Sequence, residues 1–549
     1  MYRNKTARQH NFATVPRADI PRSKFAMRQT RKQAFDASDL VPIMCEEVLP
    51  GDVWQHTESI MARLATPIAP AVDDIDLETF YFFVPNRIIW EDWEDFITGV
   101  NTTVVVPKII PLDVGVDYKV KPGSVFDHFG ILPQTYSADT LKVNALPIWG
   151  YFKIYNDWFR DQNLQTEWSI LAAWGTFKTS DNIYLDVDPT DIAWNQECLR
   201  VNKRHDYFTS SLPWPQKGNA VEMPLGSLAP VVLTPSISTG NSTQVVVEGT
   251  TTGRQIVSNT AGLGTTWGAL SAPGATHQLY ADLSEATAST INAIRLAFQT
   301  QKLLERDARG GSRYVESVLA HFGVRLPDYT AARPVYLGGS KIAVTVNPVA
   351  QTAAYDAEPG LDASAIGNLG AEMHASGTKR TFTHSAVEHG YIIGLACVRA
   401  TPTYQQGTRR HWRRSTRLDF YFPVFSHLGE QAVATQEIYQ NTTDVPTTAT
   451  WGYQERHAEL RYTPNAITGV LRSTAAQPLD WWHYAEEFGT EPALNSAFLT
   501  DKTKETLARS LATAPGTQWS AQIIMDILHD SNVARLMPAY AVPGLIDHF

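Results

Sequence analysis

Cysteine is scarce in this 549-residue chain, and long apolar runs are missing from it. The three cysteines, Cys45, Cys198 and Cys397, lie far apart and form no CxxC pair, which disfavours a disulfide framework and a cysteine zinc site. The sequence has no stretch of about 18 apolar residues to cross a membrane, and its first residues do not resemble a signal peptide. We therefore expect a chain made and folded in a cytoplasm, with reduced thiols.

The motifs of common enzyme classes are missing as well. There is no GxxxxGKS/T phosphate loop, no HExxH, no EF-hand loop and no GxSxG elbow. The densest histidine cluster, His374, His384 and His389 beside Glu388, has no standard metal-ligand spacing, so hydrogen-bonded or solvated histidines are the favoured interpretation. We expect no catalytic residue, no metal site and no cofactor. Adjacent acids point apart in an extended segment and predict solvated carboxylates rather than a glycosidase pair: Asp73-Asp74, Glu91-Asp92 and Glu486-Glu487.

Apolar and aromatic side chains, in contrast, are abundant. Hydrophobic residues make up 43% of the chain and charged residues 19%, which is the balance of a folded globular protein. The 15 Trp, 21 Tyr and 22 Phe suit either a large core or an extensive subunit interface. Composition alone leaves both interpretations open.

The net charge of −10 conceals a basic beginning of the chain. The first 32 residues hold nine cations and one acid, Asp19, for a charge of +8, which leaves −18 for the remainder. Such an arm favours sequence-independent binding to phosphate, although a solvated tail or packing on a neighbouring subunit is an equal alternative. The candidate nucleic-acid-binding residues are Arg3, Lys5, Arg8, Arg17, Arg22, Lys24, Arg28, Arg31 and Lys32.

A second basic cluster spans residues 399–417. Arginines there alternate with Tyr404, His411 and Trp412, a pattern that can stack bases and neutralise phosphates. Salt bridges to an acidic neighbouring subunit explain it equally well. For DNA we rank the arm first and Arg409, Arg410, Arg413 and Arg414 second; the cluster also contains Arg399 and Arg417.

The order of predicted elements indicates a mainly β protein with helical and loop insertions. Alternating or continuous apolar runs predict strands, and i, i+3, i+4 spacing predicts helices. A low-charge stretch rich in Gly, Ser and Thr at 218–283 predicts a long surface insertion. The last 50 residues look mixed and loop-rich. The predicted strands are 53–64, 79–84, 341–346, 391–399 and 418–422, and the predicted helices are 147–163, 284–309 and 312–322.

Several phrases, taken together and in order, resemble the major capsid proteins of the Microviridae, most of all the gokushovirus group. Each phrase alone is weak evidence for the family, but together the phrases extend over most of the chain. They are RSKF (22–25), VLPGD (48–52), RLATP (63–67), FFVPNR (82–87), YNDWFRDQN (155–163), DYFTSSLPWPQKG (206–218), ERDARGG (305–311), YLGGS (336–340), EHG (388–390), DFYFP (419–423) and GYQER (452–456).

The resemblance implies an eight-stranded viral jelly roll with large insertions, assembled into a T=1 icosahedral shell around circular single-stranded DNA. Residues 1–39 would form the basic arm and 40–549 the jelly-roll domain, with 218–283 as the variable loop that builds threefold protrusions. Implied partners are further copies of the chain, the DNA, a DNA pilot protein, a small basic DNA-binding protein, an internal scaffolding protein and a host-cell receptor.

A different class, a β-sandwich protein that binds or degrades glycans, is the alternative. Abundant tryptophan favours it, since sugars stack on aromatic rings. The lack of a recognisable carboxylate pair counts against a glycan-degrading enzyme. Particle formation separates the two classes, because a lectin forms small oligomers and a capsid protein forms uniform shells.

Overall fold

The computed structural model describes residues 21–100, 103–109, 118–136, 143–168, 197–221, 231–233, 242–245, 254–257, 266–268, 279–281, 291–354, 366–426, 428–440, 449–512 and 521–540. The chain divides into two compact units. Unit 1 comprises residues 1–215 and 310–549, and unit 2 comprises residues 216–309. None of the described helices has both the length and the apolar character needed to cross a membrane.

Strands dominate unit 1 and short strands recur in unit 2. In chain order they are β1 (Ser23–Phe35), β2 (Val41–Val48), β3 (Val53–Leu64), β4 (Ile75–Pro85), β5 (Lys108–Ile109), β6 (Tyr118–Lys119), β7 (Thr135–Tyr136), β8 (Val143–Asn144), β9 (Val231–Leu233), β10 (Ser242–Val245), β11 (Arg254–Val257), β12 (Thr266–Gly268), β13 (Leu279–Ala281), β14 (Val335–Ala343), β15 (Thr345–Ala350), β16 (Leu369–Ser385), β17 (Gly390–Ala400), β18 (Glu430–Ala434), β19 (Thr450–Glu455) and β20 (Ile523–Arg535).

The helices are fewer and mostly short. They are α1 (Asn86–Ile89), α2 (Trp93–Thr98), α3 (Val125–Phe129), α4 (Leu146–Ile154), α5 (Ile291–Arg309), α6 (Tyr314–Phe322), α7 (Ser496–Leu499) and α8 (Thr503–Ala508). A π-helix, Tyr155–Phe159, continues α4. Single 3-10 turns lie at Arg410–Arg413, Arg417–Asp419, Pro423–Phe425, Thr435–Glu437, Ala458–Leu460, Gly469–Leu471 and Asp480–Trp482.

Two antiparallel sheets form the centre of unit 1. The five-stranded sheet has the order β1-β20-β3-β16-β15, and the four-stranded sheet has the order β14-β4-β17-β2. In each sheet a late strand lies between early ones, which gives the non-local pairing expected of a Greek-key or jelly-roll sandwich. The expectation of a mainly β, antiparallel fold is confirmed, whereas the count of eight strands stays a prediction.

The main core lies between these two sheets. In β3 and β20, every second side chain is buried and the others face outward, as the twofold periodicity of a strand requires. Trp54 and Ile60 of β3 and Met525 and Ile527 of β20 join Leu77 of β4 in one apolar cluster. The five-stranded sheet therefore buries one face in the core and exposes the other to solvent.

The four-stranded sheet is covered on both faces. Nearly every residue of β4 and β17 is buried, because the face turned away from the main core packs on α4 in a second apolar cluster. Gly150 of α4 permits this close approach, since a Cβ there would lie 2.8 Å from Cδ1 of Ile393. Such two-sided burial explains the continuous apolar runs of these strands.

Most predicted elements of unit 1 are confirmed, with shifted ends. The strand predicted at 53–64 is β3, those at 79–84 and 391–399 lie inside β4 and β17, and the helix at 312–322 contains α6. Residues 341–346 are divided between β14 and β15. The helix predicted over 147–163 ends at Phe159, where Arg160 turns to an extended conformation.

Two predictions about unit 1 are wrong. Residues 418–422 form no strand. Instead Asp419 accepts hydrogen bonds from the backbone N–H groups of Ser415 and Thr416 at 3.0 and 2.7 Å and stabilises a 3-10 turn. The last 50 residues are also more regular than expected, because they contain the 13-residue strand β20, which lies second from the edge of the five-stranded sheet.

In unit 2, α5 confirms the predicted helix over 291–309, and residues 284–290 lie outside the described residues. Within the predicted insertion at 218–283, two small antiparallel sheets are described, β10-β11-β12 and β13-β9. The rest of that segment after residue 221 is not described, so its role as a protrusion stays a prediction.

Candidate nucleic-acid interface

The predicted basic arm runs into the five-stranded sheet. β1 pairs with β20 in an uninterrupted antiparallel register from Ser23↔Arg535 to Phe35↔Ile523. The sheet therefore begins near residue 23, and not after residue 39 as the predicted arm of 1–39 requires. Arg3, Lys5, Arg8 and Arg17 lie outside the described residues. Nucleic-acid binding by any residue of the arm stays a prediction.

Three cations of β1 lie on one exposed face. Lys24, Arg28 and Lys32 are four residues apart and all are exposed, so their Cα atoms follow one another at about 13 Å. Even-numbered positions of β1 face outward because Gln33 and Phe35, at odd positions, are buried. The strand thus arranges positive charges in a row along the edge of the sheet.

These charges are only loosely neutralised by acids on β20. Arg28 Nη2 lies 3.1 Å from Asp530 and Lys32 Nζ lies 3.6 Å from Asp526, and both cations are more than 70% exposed. Exposed ion pairs of this kind contribute about 0–1 kcal/mol. A phosphate can therefore replace the aspartates at low cost.

Arg31 has a different role from its neighbours on β1. It lies on the opposite face of the strand and donates a hydrogen bond to the backbone oxygen of His128 in α3. Burial lowers the pKa of its guanidinium. Arg31 therefore attaches α3 to the sheet and is poorly placed for phosphate, while the remaining candidate, Arg22, is exposed.

The first arginine of the second basic cluster belongs to the interior. Arg399 of β17 donates from Nε to Glu78 Oε2 at 2.9 Å and from Nη1 to the backbone oxygen of Asn202 at 2.9 Å. Arg204 donates to the other oxygen of Glu78, also at 2.9 Å, and reaches Asp76 at 2.8 Å. Arg399 is thus part of a buried ion-pair network and cannot contact a nucleic acid.

The remaining arginines separate into a pair that is anchored by carboxylates and a set that is not. Arg410 donates to the backbone oxygen of Ala432 at 2.8 Å and to Glu437 at 3.2 Å, and Arg414 donates to Glu459 at 3.0 Å. Within the described part of the chain, Arg409, Arg413 and Arg417 form no ion pair with a carboxylate. The predicted set of Arg409, Arg410, Arg413 and Arg414 is therefore brought together. Arg409 is exposed, whereas Arg413 is half-buried, like Arg410 and Arg414.

A cavity of about 550 Å³ adjoins this cluster. Arg409, Trp412, Tyr462 and Arg472 are among the residues that line it, and Tyr462 stacks on Tyr207 at 5.7 Å and 10°. Aromatic rings beside guanidinium groups can hold a planar base. The pattern of aromatics among arginines had indicated this chemistry, whereas no local pattern pointed to Tyr462, which lies outside the cluster.

The predicted histidine cluster is dispersed. His384 packs on Phe83 at 4.8 Å and His389 lies 5.7 Å from Trp93, while Glu388 pairs with Arg87 at 3.0 Å. Among the described residues no group of His, Cys, Asp and Glu could hold a metal ion. Two acids predicted to be solvated are not. Glu486 is largely buried and lies 2.7 Å from Lys203, and half-buried Asp73 accepts a hydrogen bond from the backbone N–H of Tyr484 at 2.8 Å.

Sequence reasoning missed a buried polar group between the two main sheets. His56 Nδ1 lies 2.8 Å from the hydroxyl of Ser531, and His529 Nε2 lies 3.0 Å from the backbone oxygen of Ile43. The two imidazoles stack at 5.3 Å. Burial lowers the pKa of His56 to about 3 and that of His529 to about 4, so both are neutral at pH 7.

Comparisons with known proteins agree with the mainly β fold. Residues 13–545 match the family described as capsid protein (F protein) of phages. The capsid protein VP1 of Bdellovibrio phage phiMH2K is 40% identical over 562 residues, with 98% of each chain covered. Those of Chlamydia phage 1 and Spiroplasma virus 4 are 36% and 35% identical, again over 98% of each chain.

These matches confirm the resemblance to gokushovirus-like Microviridae and support a structural capsid role rather than the glycan-active alternative. They cover the arm from residue 13, both sheets and the arginine cluster. A polypeptide of this kind has a structural role and not a catalytic one. The chain belongs to the phage capsid protein (F protein) family, as a structural major capsid protein of the virion.

Proposed function

We propose that the chain assembles into a T=1 icosahedral shell around circular single-stranded DNA, and that it holds this DNA through its basic arm and the exposed face of β1. The observation that carries the proposal is the charge asymmetry, +8 through Lys32 against −18 for the remaining residues. Phosphate attracts the first part and repels the second. The arm is therefore expected to face the genome inside the shell.

The geometry of β1 supports this assignment. Lys24, Arg28 and Lys32 form an exposed row, and the aspartates that pair with Arg28 and Lys32 are weakly held because the pairs lie in solvent. DNA phosphates that displace these aspartates release counterions, and this gain depends on salt and not on base sequence. The many copies of the chain in a closed shell would multiply such modest contacts.

Three further parts of the proposal follow from the family resemblance. Residues 218–283 would form the protrusions that present the surface for host attachment, to a receptor on the host cell. A DNA pilot protein, a small basic DNA-binding protein and an internal scaffolding protein would be the other partners. Assembly would take place in the cytoplasm of the bacterial host.

The test replaces Arg3, Lys5, Arg8 and Arg17 with glutamine in cells that make all of the phage's structural proteins. We expect shell yield to stay near that of the unchanged protein and nuclease-protected DNA per shell to fall. With isolated chains and an oligonucleotide, the slope of log affinity against log salt should become shallower by about 0.7 for each phosphate that the variant no longer neutralises.

A second variant, with Lys24, Arg28 and Lys32 changed to glutamine, tests the contribution of β1 separately. Its matched control removes three exposed cations elsewhere, Arg295, Lys302 and Arg325, and should leave the DNA content unchanged. If both basic variants package a normal amount of DNA, the arm and β1 serve subunit contacts instead. If the control loses DNA equally, only net charge matters.

A further inference from the structure

The segment that carries the outward arginines also exposes large apolar side chains. We call residues 409–424 the arginine ridge. Exposed fractions reach 76% for Trp412, 62% for Leu418, 51% for Phe420 and 78% for Val424. A concentration of exposed apolar side chains in one short segment is typical of an interaction site. The combination of tryptophan with arginine is typical of the energetic centre of a protein–protein interface.

Contacts within the chain itself fix several side chains of the ridge. The inner arginines, Arg410 and Arg414, are fixed by Glu437 and Glu459. The guanidinium groups of Arg414 and Arg417 lie 5.7 Å above the rings of Phe420 and Phe422. A surface with fixed side chains loses less conformational entropy on binding than a mobile one.

A complementary surface lies elsewhere in the same unit. We call residues 91–100 the acidic knob. It exposes Ile97 at 48% and Val100 at 78%, while Trp93 and Phe96 pack with Trp90. The knob therefore offers apolar side chains among carboxylates, as the ridge offers them among arginines. Its exposed carboxylates are Glu91, Asp92, Glu94 and Asp95.

The two surfaces belong to opposite ends of one strand. The knob is next to the beginning of β17, where the Trp93 ring lies 5.7 Å from His389, and the ridge follows the end of β17 at Ala400. The 11 residues of β17 extend over about 35 Å. Two different patches that flank opposite ends of one strand suit a head-to-tail contact, which forms a ring where the repeated rotation closes.

We propose that the arginine ridge of one copy binds the acidic knob of a second copy of this chain, with Arg409, Arg413 and Arg417 facing Glu91, Asp92, Glu94 and Asp95. Ile97 and Val100 then pack against Trp412 and its apolar neighbours. The proposal rests on the self-assembly in the proposed function, but it does not depend on DNA binding. It also assigns the second basic cluster to subunit contacts rather than to the genome.

Charge reversal tests the pairing in cells that make all of the phage's structural proteins. Arg409→Glu with Arg413→Glu should lower the shell yield by at least about ten-fold, because like charges then face each other. Glu94→Lys with Asp95→Lys should do the same. A chain that carries all four changes restores opposite charges at the contact, and its shell yield should return close to that of the unchanged protein.

The matched control combines the ridge reversal with Glu487→Lys and Glu491→Lys, two exposed acids outside the knob, and should not restore shells. A second variant, Trp412→Ala, removes an exposed ring without changing charge and should lower shell yield while leaving the chain folded by circular dichroism. Normal yield from either the ridge reversal or Trp412→Ala overturns the proposal.

Failure of the four-change chain to assemble, when each reversed chain is folded, overturns the pairing between ridge and knob. The outcome is separable from that of the proposed function. If the unchanged protein forms no shell at all, the T=1 shell itself is rejected. If shells form normally but package little DNA in the arm variants, the proposed function stands whatever the ridge does.

Discussion

The two main sheets of unit 1 use the same strand geometry for different purposes. β4 and β17 of the four-stranded sheet are buried on both faces, and the charges there are locked into networks such as Glu78 with Arg204 and Arg399. β3 and β20 of the five-stranded sheet bury one face only. Charges on the covered sheet hold the fold together, whereas outward-facing charges of the open sheet, such as Arg28 and Asp530, lie in solvent and can exchange partners.

The strongest test of this difference removes the carboxylate of the covered sheet. Glu78→Ala leaves Arg204 and Arg399 without the acid that they share. Loss of one partner from a buried ion pair costs about 3–5 kcal/mol, because the other charge stays buried without compensation. Denaturant unfolding of the isolated chain should show this loss.

The control for that test is an acid of the open sheet. Glu372 pairs with Arg63 at 3.5 Å, and the two side chains are 45% and 64% exposed. Glu372→Ala should therefore change the free energy of unfolding by less than about 1 kcal/mol. Equal losses in the two variants would contradict the distinction between covered and open sheets.

A matched pair of apolar truncations tests the same distinction without charge. Phe82 of β4 is 1% exposed and packs against Trp158, Phe159 and Tyr336. Phe82→Ala should cost about 3–4 kcal/mol through reduced burial and a residual cavity. Met61 of β3 is 66% exposed, so Met61→Ala should stay within about 0.5 kcal/mol. Thermal melts of the two variants give the comparison.

The covered sheet was the easier of the two to predict. Continuous apolar runs identified the strands inside β4 and β17, because two-sided burial leaves few polar positions. β20 was missed because its inward positions 529 and 531 carry His and Ser, which interrupts the alternation. β1 was assigned to an arm because its outward cations dominate the segment, although Phe25, Met27, Gln33 and Phe35 occupy the alternate positions.

The sequence predicted where the candidate interfaces lie along the chain, but not which of their arginines are available for binding. Composition located both basic segments, but only tertiary contacts separate anchored arginines from outward ones. The acid that anchors Arg399 lies 321 residues away along the chain, and those that anchor Arg410 and Arg414 lie 27 and 45 residues away. No local window of sequence detects pairs at such separations. The family resemblance supplied the capsid role, which residue patterns alone had not reached.

Acid should weaken the sandwich between the two sheets through His56 and His529. The folded pKa values of about 3 and about 4 are lower than the ordinary value of 6.5, because burial disfavours the charged imidazole. As the pH falls, the two histidines therefore take up protons at a higher pH in the unfolded chain than in the folded chain. The contribution of the two neutral histidines to the free energy of unfolding is fully present above pH 6.5 and is lost as the pH falls toward 4. The loss is about 2 kcal/mol per histidine between pH 7 and pH 5.

The histidine contribution is isolated by comparison with a variant. Asp39, whose pKa burial raises to about 6, takes up a proton in the folded state over the same range and opposes the loss. His529→Gln should therefore lose about 2 kcal/mol less than the unchanged chain between pH 7 and pH 5 in denaturant titrations. Identical pH dependence in the two chains would mean that His529 is not the group responsible.

The smallest effect is expected where the open sheet meets solvent, at the pair of Arg28 and Asp530. A double-mutant cycle of Arg28→Ala and Asp530→Ala should give a coupling of at most about 1 kcal/mol, which disappears in high salt because both groups are exposed. A coupling above about 2 kcal/mol would make Asp530 a fixed partner and close this position to phosphate. A weak coupling is what an exchangeable DNA contact needs, since each phosphate must displace the aspartate.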